Sequence, residues 1–422
     1  MERLYNLALW LLTPLALARL FWRSRRTPAY RQRWLERLAV YRAAPPRARI
    51  WLHAVSVGEV QAAQPLLRHL LADETPGPLL VTTTTPTGAD RLRSLFSGQV
   101  PHLYTPFDLV PVVRRFLDLV EPRLVIIMET EVWPNLLKIC EQRGIPVILA
   151  NARLSERSAR GYARLGPFAH ATFARFAFIA AQSDADAERL SALGARAGRI
   201  MTTGSLKFDV QWPASLLERA EVMRRGWGTE RPVWVAASTH EGEEEEILAA
   251  HERIRRSWAD ALLVLVPRHP ERFDRVALLV RRAGLTLARR SHDTDRTTDA
   301  AVFLGDSMGE LPSFLGAADV AFIGGSLVPV GGHNLVEAAA LGVPILIGPH
   351  VFNFASVTEI LVREQAAVQV ADARELADQV CAWLADAAER ARIGDNGQRV
   401  VNANRGATQR LIRIIDSVAR ET

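Results

Sequence analysis

Short apolar runs alternate with longer amphipathic segments along most of the chain, and this pattern predicts its secondary structure. In residues 49–202 each apolar run has the length of a β-strand, and apolar residues follow at helical spacing. Runs that are apolar on both faces are typical of parallel strands covered by helices. The pattern therefore predicts an α/β domain built on a parallel sheet. The predicted strands are residues 49–55, 79–84, 124–128, 146–150, 178–181 and 200–202, and the predicted helices are residues 58–71, 88–96, 135–143 and 185–193.

The same alternation returns in the second half of the chain, after an interruption at residues 208–231. Two doubly wound, Rossmann-like domains are therefore predicted, which would face a cleft and bind ligands at the carboxyl ends of their strands. The predicted strands are residues 232–237, 262–266, 302–304, 320–323, 344–347 and 367–370, and the predicted helices are residues 243–258, 272–283, 373–384, 387–404 and 407–421. We expect an N-terminal domain at 31–210, a linker at 211–230, a C-terminal domain at 231–400, and a helix within 401–422 that packs back on the first domain.

Length and composition agree with two globular domains. The chain has 422 residues, of which 49% are apolar, so a large core can form. The two cysteines, Cys140 and Cys381, lie far apart and outside any zinc-ligand spacing. Such residues are typical of reduced, buried thiols in a cytosolic protein. We expect a monomer.

Residues 4–22 are almost entirely apolar, and a block of arginines follows them. As a helix this segment would be roughly 28 Å long, about the thickness of a bilayer's hydrocarbon core. Residues 1–50 carry a net charge of +9, whereas the rest of the chain carries −3. A basic block beside an apolar helix favours an anionic phospholipid surface over a nucleic acid. Residues 1–30 are therefore predicted to be an uncleaved membrane anchor with its basic flank, on the cytoplasmic side. A helix that lies flat in the interface, or packs on the domain, is the alternative.

Residues 324–349, GGSLVPVGGHNLVEAAALGVPILIGP, contain two glycine pairs between predicted strands. A helix is expected to begin near His333 and to end at Gly342. Glycines let a backbone approach a ligand closely, and a helix N-terminus offers N–H groups and a positive dipole to an anion. The segment therefore predicts a phosphate site formed by Ser326, Gly331, Gly332 and His333.

Two polar residues at that helix start indicate a nucleoside. Asn334 and Glu337 are three residues apart and would share one helical face. A carboxylate in that position can accept two hydrogen bonds from a ribose diol. The segment has neither P-loop nor GxGxxG spacing. A glycine-rich turn with an ordinary helix-start asparagine is the alternative.

A candidate general base follows the first predicted strand, in HAVSVGEVQAAQPLL at residues 53–67. Gly58 would permit a tight strand-to-helix turn and place Glu59 at the helix start, where the dipole keeps a carboxylate ionised. An ionised carboxylate can take a proton from an attacking hydroxyl. The alternative is a glutamate that only caps its helix.

Polar clusters also follow other predicted strands of the first half, in TTTTPTG, METEVWPN and NARLSERSAR. Because the carboxyl ends of parallel strands meet at one edge of a sheet, these clusters predict a shared substrate site. The Thr-rich segment has the alternative of a strand end with a helix cap. The candidate substrate residues are Ser56, Gly58, Thr84, Glu129, Glu131 and Arg153.

Two cations follow strands in GSLKFD and VPRHPERF, namely Lys207 and Arg268. An arginine in such a position can bind a phosphate with two hydrogen bonds. The D-x-D triplets at 184–186 and 293–295 do not follow buried strands, so no metal is expected. Cationic side chains can stabilise a leaving phosphate in its place.

In this order, LHAVSVGEV, METEVWPN, NARLSERS, GSLKFD, PRHPERF and GGSLVPVGGHNLVEAAALGVP resemble the motifs of 3-deoxy-D-manno-octulosonic acid (Kdo) transferases. These enzymes of lipopolysaccharide synthesis are inverting glycosyltransferases of the GT-B fold. The resemblance covers almost the whole chain, and the set of motifs is far more specific than any one of them.

The resemblance implies that CMP-Kdo is the donor and that a lipid A precursor, an anionic glycolipid such as lipid IVA, is the acceptor. The reaction would take place at the cytoplasmic face of the bacterial inner membrane, without a cofactor. Glu59 matches the catalytic base of the family. Arg268, Asn334 and Glu337 match CMP-binding positions, with Glu337 on the ribose, and Lys207 matches a residue near the donor phosphate.

Other functions stay open at this point. The chain could be a GT-B enzyme that uses a UDP-sugar, or a sugar-nucleotide epimerase. It could also be a membrane-tethered nucleotide-binding or nucleic-acid-binding protein without transfer activity. The near-neutral charge outside residues 1–50 argues against nucleic acid.

Overall fold

The structure is a computed structural model, and it describes residues 1–25, 28–72, 78–210, 214–292 and 299–420. The D-x-D triplet at 293–295 therefore lies outside the described residues. The chain divides into two compact units. Unit 1 comprises Met1–Asp209 with Arg405–Thr422, and unit 2 comprises Val210–Asn404.

Each unit contains one sheet of seven parallel strands, which confirms the predicted fold class. The strand order is β3-β2-β1-β4-β5-β6-β7 in unit 1 and β10-β11-β9-β8-β12-β13-β14 in unit 2. The strands are β1 (Ile50–His53), β2 (Leu79–Thr83), β3 (His102–Tyr104), β4 (Leu124–Met128), β5 (Val147–Ala152), β6 (Phe178–Ala181), β7 (Ile200–Thr202), β8 (Val233–Thr239), β9 (Leu262–Pro267), β10 (Leu287–Arg289), β11 (Val302–Leu304), β12 (Val320–Ile323), β13 (Ile345–Ile347) and β14 (Ala367–Gln369).

Helices cover both faces of each sheet, so alternate residues of the central strands point into different cores. In β1, Leu52 belongs to one core and Trp51 to the other. The helices are α1 (Glu2–Arg23), α2 (Val57–Ala62), α3 (Gln64–Ala72), α4 (Pro86–Phe96), α5 (Val110–Val120), α6 (Pro134–Gln142), α7 (Glu156–Ala163), α8 (Pro167–Phe173), α9 (Asp184–Ala192), α10 (Ala214–Trp227), α11 (Glu244–Ser257), α12 (Phe273–Arg282), α13 (Leu311–Gly316), α14 (Val336–Ala340), α15 (Ala355–Arg363), α16 (Ala373–Ala385), α17 (Ala387–Asn404) and α18 (Ala407–Arg420).

The last helix, α18, belongs to unit 1 although it follows unit 2 in the chain. Its residues Leu411 and Ile415 are buried in the same core as Leu52. The Asp209 carboxylate accepts hydrogen bonds from the backbone N–H groups of Gly406 (2.6 Å) and Thr408 (2.5 Å). Asp209 thereby satisfies donors at the start of α18 that have no partner within the helix.

The linker predicted at residues 211–230 is largely a helix of unit 2, so that prediction is wrong for its described part. In α10, Ala220, Met223 and Trp227 are buried, at the spacing of one helical face. The Trp227 ring contacts Phe303 with ring centroids 5.3 Å apart. An apolar stripe of this kind is stable only against a core, which is why the segment packs into unit 2. Residues 211–213 lie outside the described part of the chain.

The N-terminal helix α1 lies along unit 1. The Tyr5 hydroxyl donates a hydrogen bond to Asp108 (2.8 Å), and the Asn135 side-chain amide donates one to Asn6 (2.6 Å). Residues 2–22 are long and apolar enough to cross a membrane, by length and composition only. Of the alternatives that the sequence leaves open, a helix packed on the domain agrees with these contacts.

Candidate active site

Glu59 lies in the first turn of α2, directly beyond the carboxyl end of β1. Its carboxylate accepts a hydrogen bond from the backbone N–H of Val55 (2.7 Å), and the Ser56 hydroxyl lies 3.5 Å from its other oxygen. Glu59 therefore caps its own turn, as the alternative interpretation expected. One lone pair is used by this bond, and the half-buried carboxylate keeps further acceptor capacity for a substrate hydroxyl.

The electrostatic surroundings of Glu59 correct the expectation that a helix dipole keeps it ionised. Burial, followed by the nearby charge of Glu129, raises the pKa of Glu59 to about 8, and Glu131 adds to the rise. The Val55 N–H and the Lys207 cation lower the pKa without reversing the shift. A carboxyl group with such a pKa holds a transferred proton well near neutral pH, which suits a general base.

Three further predicted residues lie around Glu59 in unit 1. Glu129 follows β4 in a left-handed conformation (φ 58°), and its carboxylate forms an ion pair with Lys207 (3.4 Å). The indole N–H of Trp133 donates a hydrogen bond to Glu131 (2.8 Å), whose pKa burial raises. The strand-end clusters predicted from the sequence are thus brought together at one edge of the sheet. A contact of Lys207 with a donor phosphate stays a prediction.

Asn151 is a residue of this site that the sequence argument missed. It is buried at the end of β5 with φ 54°, and its side-chain oxygen accepts a hydrogen bond from the N–H of Leu206 (3.0 Å). This bond holds the turn that carries Lys207. The strained backbone gives no signal in a single sequence, although an asparagine tolerates it better than most residues.

The remaining predicted residues of unit 1 differ in their surroundings. Gly58 lies within α2, and a Cβ atom there would meet only the Ser56 hydroxyl at 3.8 Å. The predicted tight turn at Gly58 is therefore wrong, because the helix begins one residue earlier.

The N–H of Thr84 donates to the carbonyl of Val55 (3.2 Å) beside Glu59. Among the described residues, the Arg153 guanidinium has no hydrogen-bond or ion-pair partner, so it could bind an anion.

The glycine-rich loop of unit 2 follows β12 and differs from the sequence prediction at its helix. Gly331 has φ 108°, and a Cβ atom there would collide with the side chains of Asn353 and Phe352. Gly331 and Gly332 both have positive φ angles, so the backbone immediately before His333 is not helical. The helix α14 begins only at Val336 and has five residues. The helix start predicted near His333 is therefore wrong, and so short a helix offers little dipole to an anion. The phosphate contacts predicted for Gly331, Gly332 and His333 stay a prediction.

The hydroxyl of Ser326, a predicted phosphate ligand, forms hydrogen bonds within unit 2, and its contact with a phosphate stays a prediction. Ser326 is fully buried, its hydroxyl donates to the carbonyl of Ile323 (2.5 Å), and the N–H of Gly348 donates to the hydroxyl (2.8 Å). Both hydrogen-bonding directions of the hydroxyl are thus used inside unit 2. Ser326 holds the loop after β12 against the end of β13.

Glu243 organises this loop and was missed by the sequence argument. Its fully buried carboxylate accepts hydrogen bonds from the N–H groups of Gly325 (2.6 Å), Ser326 (2.9 Å) and Leu327 (2.9 Å). It also accepts one from the N–H of His240 (3.0 Å). The loop's N–H groups therefore bind a carboxylate of the protein. In the sequence, Glu243 looks like the first acid of an ordinary helix start.

Three histidines lie where β8, β9 and the loop after β12 meet. The rings of His240 and His333 are stacked with centroids 5.0 Å apart, and their Nε2 atoms are 2.8 Å apart. His269 contacts His240 edge to face at 5.3 Å. Burial, with His240 next in importance, lowers the pKa of His333 to about 3, so the pair is neutral and shares one proton.

Arg268 adds a fixed positive charge to this histidine cluster. Its charge lowers the pKa of both His240 and His333. Among the described residues, its guanidinium has no hydrogen-bond or ion-pair partner, although its backbone N–H donates to Thr239 (3.0 Å). A half-buried cation without a counter-ion beside neutral imidazole donors is a suitable phosphate site.

The predicted pair Asn334 and Glu337 is brought together. The Asn334 side-chain amide donates to the Glu337 carboxylate (3.1 Å), and its oxygen accepts from the N–H of Val336 (3.1 Å). Asn334 thus begins α14 and orients Glu337 at its first turn. The predicted ribose contact stays a prediction. Among the described residues, no group of histidine, cysteine or acidic side chains could hold a metal ion.

Two family models match the chain, one in each unit. Residues 32–210 match a model described as 3-Deoxy-D-manno-octulosonic-acid transferase (kdotransferase). Residues 286–400 match one described as glycosyl transferases group 1. The first match spans the surroundings of Glu59, and the second spans the glycine-rich loop.

Whole-chain comparisons agree with these matches. The chain is 42% identical to a 3-deoxy-D-manno-octulosonic acid transferase of Haemophilus influenzae, over 97% of each chain. It is 40% identical to one of Bordetella pertussis, over 88% of each. A UDP-GlcNAc 2-epimerase of Neisseria meningitidis has a similar fold, with a TM-score of 0.55 at 13% identity, covering 87% of this chain and 99% of that one. The chain therefore belongs to the Kdo transferase family of glycosyltransferases.

Proposed function

We propose that this protein moves Kdo from CMP-Kdo to a hydroxyl of a lipid A precursor, with Glu59 as the general base. The observation that carries the proposal is the Glu59 carboxylate, held at the sheet edge of unit 1 with its pKa raised to about 8. Family membership supplies the reaction type, and this carboxylate supplies the group that the reaction needs.

In the proposed transfer, one bond forms, one bond breaks, and one proton moves to Glu59. Glu59 takes the proton of the acceptor hydroxyl, and the oxygen forms a bond to the anomeric carbon of Kdo. The bond from that carbon to the donor phosphate oxygen breaks, and the electron pair leaves with CMP. Attack from the face opposite the leaving group inverts the anomeric centre. The proton stays on Glu59 until solvent removes it.

Unit 2 supplies the groups that suit CMP. Arg268 can bind the phosphate, and its charge stabilises CMP as it leaves. The ring N–H of the neutral His240–His333 pair that does not lie between the two rings can donate a further hydrogen bond. Glu337, oriented by Asn334, can accept hydrogen bonds from a ribose diol. Since cations and imidazoles supply this stabilisation, we propose that the reaction needs no metal.

The acceptor is an anionic glycolipid, and unit 1 offers the matching features. Arg153 is a cation at the same sheet edge as Glu59, and α1 presents apolar side chains to a membrane. These features support our proposal that the reaction takes place at the cytoplasmic face of the bacterial inner membrane.

The test is the mass of the product. Detergent-solubilised protein is incubated with CMP-Kdo and an acylated, bisphosphorylated glucosamine disaccharide, with EDTA present. A mass increase of one or more Kdo units is expected, and Glu59→Gln should abolish it while CMP binding survives. A product formed at the wild-type rate by Glu59→Gln would remove Glu59 from the base role. No product from the wild type would overturn the donor or the acceptor.

The nucleotide assignment has its own test. Glu337→Ala should weaken CMP binding about tenfold, because the ribose loses charge-assisted hydrogen bonds. Isothermal titration calorimetry with CMP measures this. Glu359→Ala, an exposed change in α15 of the same unit, is the control. Equal CMP affinity of Glu337→Ala and the control would contradict the ribose contact.

A further inference from the structure

The helix α1 has two different faces. One face, which includes Leu9, Thr13 and Ala16, is half-buried against unit 1 at helical spacing. The opposite face is exposed and apolar, and it includes Leu4, Leu7 and Leu11, which are exposed by 56–66%. A side-on contact with unit 1 and an apolar outer face are typical of a helix that lies in the membrane interface.

Both ends of α1 are attached to unit 1. Near its start, Glu2 forms an ion pair with Lys138 (2.6 Å), in addition to the Tyr5 and Asn6 contacts. Near its end, the ring of Phe21 contacts Trp34 with centroids 5.9 Å apart. The helix, roughly 33 Å long, therefore lies across this surface.

A groove runs between the attached ends of α1 and unit 1. It consists of two cavities of about 270 and 440 Å³, which share the lining residues Leu12, Ala16 and Phe107 and so adjoin each other. Most of the shared lining is apolar, and it is continuous with the apolar outer face of α1. The groove is therefore open to whatever surrounds that helix.

The two ends of the groove are polar. The first cavity reaches Asp108, Trp133 and Glu131. Glu131 belongs to the acidic surroundings that raise the pKa of Glu59. The second cavity reaches Arg19 and Arg37. Arg19 is exposed and forms no salt bridge among the described residues, so it can attract an anionic headgroup, whereas the buried Arg37 donates to the carbonyl of Thr84 (2.7 Å).

We propose that this groove holds a fatty-acyl chain of the acceptor glycolipid while the sugar lies at the Glu59 edge. The inference rests on the proposed function and adds to it a binding site for the lipid part of the acceptor. An acyl chain is an extended apolar ligand, and it already lies in the layer where the outer face of α1 is buried. It can enter the groove without crossing water, and the groove leads toward Glu131.

The first experiment fills the groove. Ala16→Trp adds a large side chain between Leu12 and Phe107, whereas Ala18→Trp makes the same change at an exposed position of the same helix, outside the lining. Each buried methylene contributes roughly a fourfold factor to lipid binding, so displacing two of them weakens binding more than tenfold. We expect Ala16→Trp to raise KM for the tetra-acylated acceptor at least tenfold with kcat little changed. Ala18→Trp should match the wild type.

Each outcome of this comparison either supports or overturns the acyl site. Equal KM values for Ala16→Trp and Ala18→Trp would overturn the acyl site. A kcat of Ala16→Trp close to that of the wild type, which needs Glu59 of unit 1, shows that unit 1 of the variant has folded. If the wild type forms no Kdo-bearing product with any acceptor, the proposed function fails first, and this result differs from an unchanged KM.

The second experiment does not depend on a substitution. An acceptor that carries a photoactivatable diazirine in one acyl chain is bound to the full chain and irradiated, and labelled peptides are identified by mass spectrometry. Labels are expected on Leu12 and Phe107, with the labelled residue located by fragmentation of each peptide. Labels confined to the outer residues Leu7 and Leu11 would overturn the proposal. Equal labelling of the groove by a diazirine-bearing phosphatidylethanolamine would also overturn it, since the groove would then hold any lipid.

Discussion

At the scale of single residues, burial and neighbouring charges decide the chemistry of Glu59. The sequence could place this glutamate after a strand, because a short apolar run and a glycine mark the position. It could not show that Glu129 and Glu131, which lie about 70 residues further along the chain, shift its pKa. The sequence predicted a carboxylate that stays ionised, whereas in the structure the pKa of Glu59 is raised to about 8.

The pH dependence of transfer follows from this shift. Glu59 accepts a proton only when it is ionised, so kcat/KM should rise with pH through an apparent pKa near 8. Glu129→Gln removes the charge that contributes most after burial, so the rise should move to lower pH by roughly one unit. Initial rates across a pH series measure both effects. Glu156→Gln, an exposed change in α7, should leave the profile in place, and a wild-type profile without this rise would contradict the assignment.

Glu243 is a second residue whose role depends on distant partners. Glu243→Ala would leave buried N–H groups of the loop after β12 without acceptors, which should cost unit 2 about 3 kcal/mol or more. Urea unfolding followed by fluorescence measures the loss. Glu245→Ala removes an exposed acid two residues away in the same run and should change little. If both variants unfold at the same urea concentration, Glu243 does not stabilise the loop.

At the scale of elements, strands formed by an uninterrupted apolar run were predictable, and several elements without such a run were not. The strands β4, β6, β7, β11 and β12 have their predicted bounds, because an apolar run between turn residues leaves little choice. The strands β3 and β10 were missed because each has a polar end residue, His102 or Arg289, which interrupts the apolar run. The helix α13 was missed because its six residues carry too little periodicity. The helix expected at His333 begins only at Val336, where the side-chain oxygen of Asn334 accepts a hydrogen bond from the Val336 N–H.

The helix α10 shows how packing overrides an expected linker. Trp227→Ala removes a buried ring that contacts Phe303, and such a change typically costs about 3–5 kcal/mol. A thermal scan of the full chain should show a lower transition temperature for unit 2. Leu217→Ala, on the same helix at a position 51% exposed, serves as the reference. A Trp227→Ala transition equal to that of Leu217→Ala would mean that α10 does not belong to the core of unit 2.

At the scale of the whole molecule, charge and apolar surface are both concentrated at the N-terminus. The net charge of +9 in residues 1–50 was evident from the sequence, as was the apolar character of residues 4–22. The contacts of α1 with Asp108, Asn135 and Lys138 were not evident from the sequence, because these partners come more than a hundred residues later. These contacts favour a helix that lies on unit 1 at the membrane surface.

Membrane binding should therefore depend on the outer face of α1. Leu11, which is 66% exposed, has no role in the groove lining. Leu11→Asp should lower partition into vesicles of anionic phospholipid at least tenfold, because a charge replaces an apolar contact with the hydrocarbon. Co-sedimentation with vesicles measures it, and Leu217→Asp in unit 2 controls for added charge. If Leu11→Asp binds vesicles as well as the wild type, another surface of the protein binds the membrane.

The sequence by itself determined the two parallel sheets, the strand ends that carry Glu59, Glu129 and Arg268, and the basic apolar N-terminus. These features depend on local patterns of hydrophobicity and charge, which neighbouring residues establish along the chain. Only the tertiary structure decided the pKa of Glu59, the hydrogen bonds that Glu243 accepts from the loop after β12, and the groove beneath α1. Each of these depends on contacts between segments far apart in sequence, and the free energy of such contacts is set by burial and distance in the folded protein.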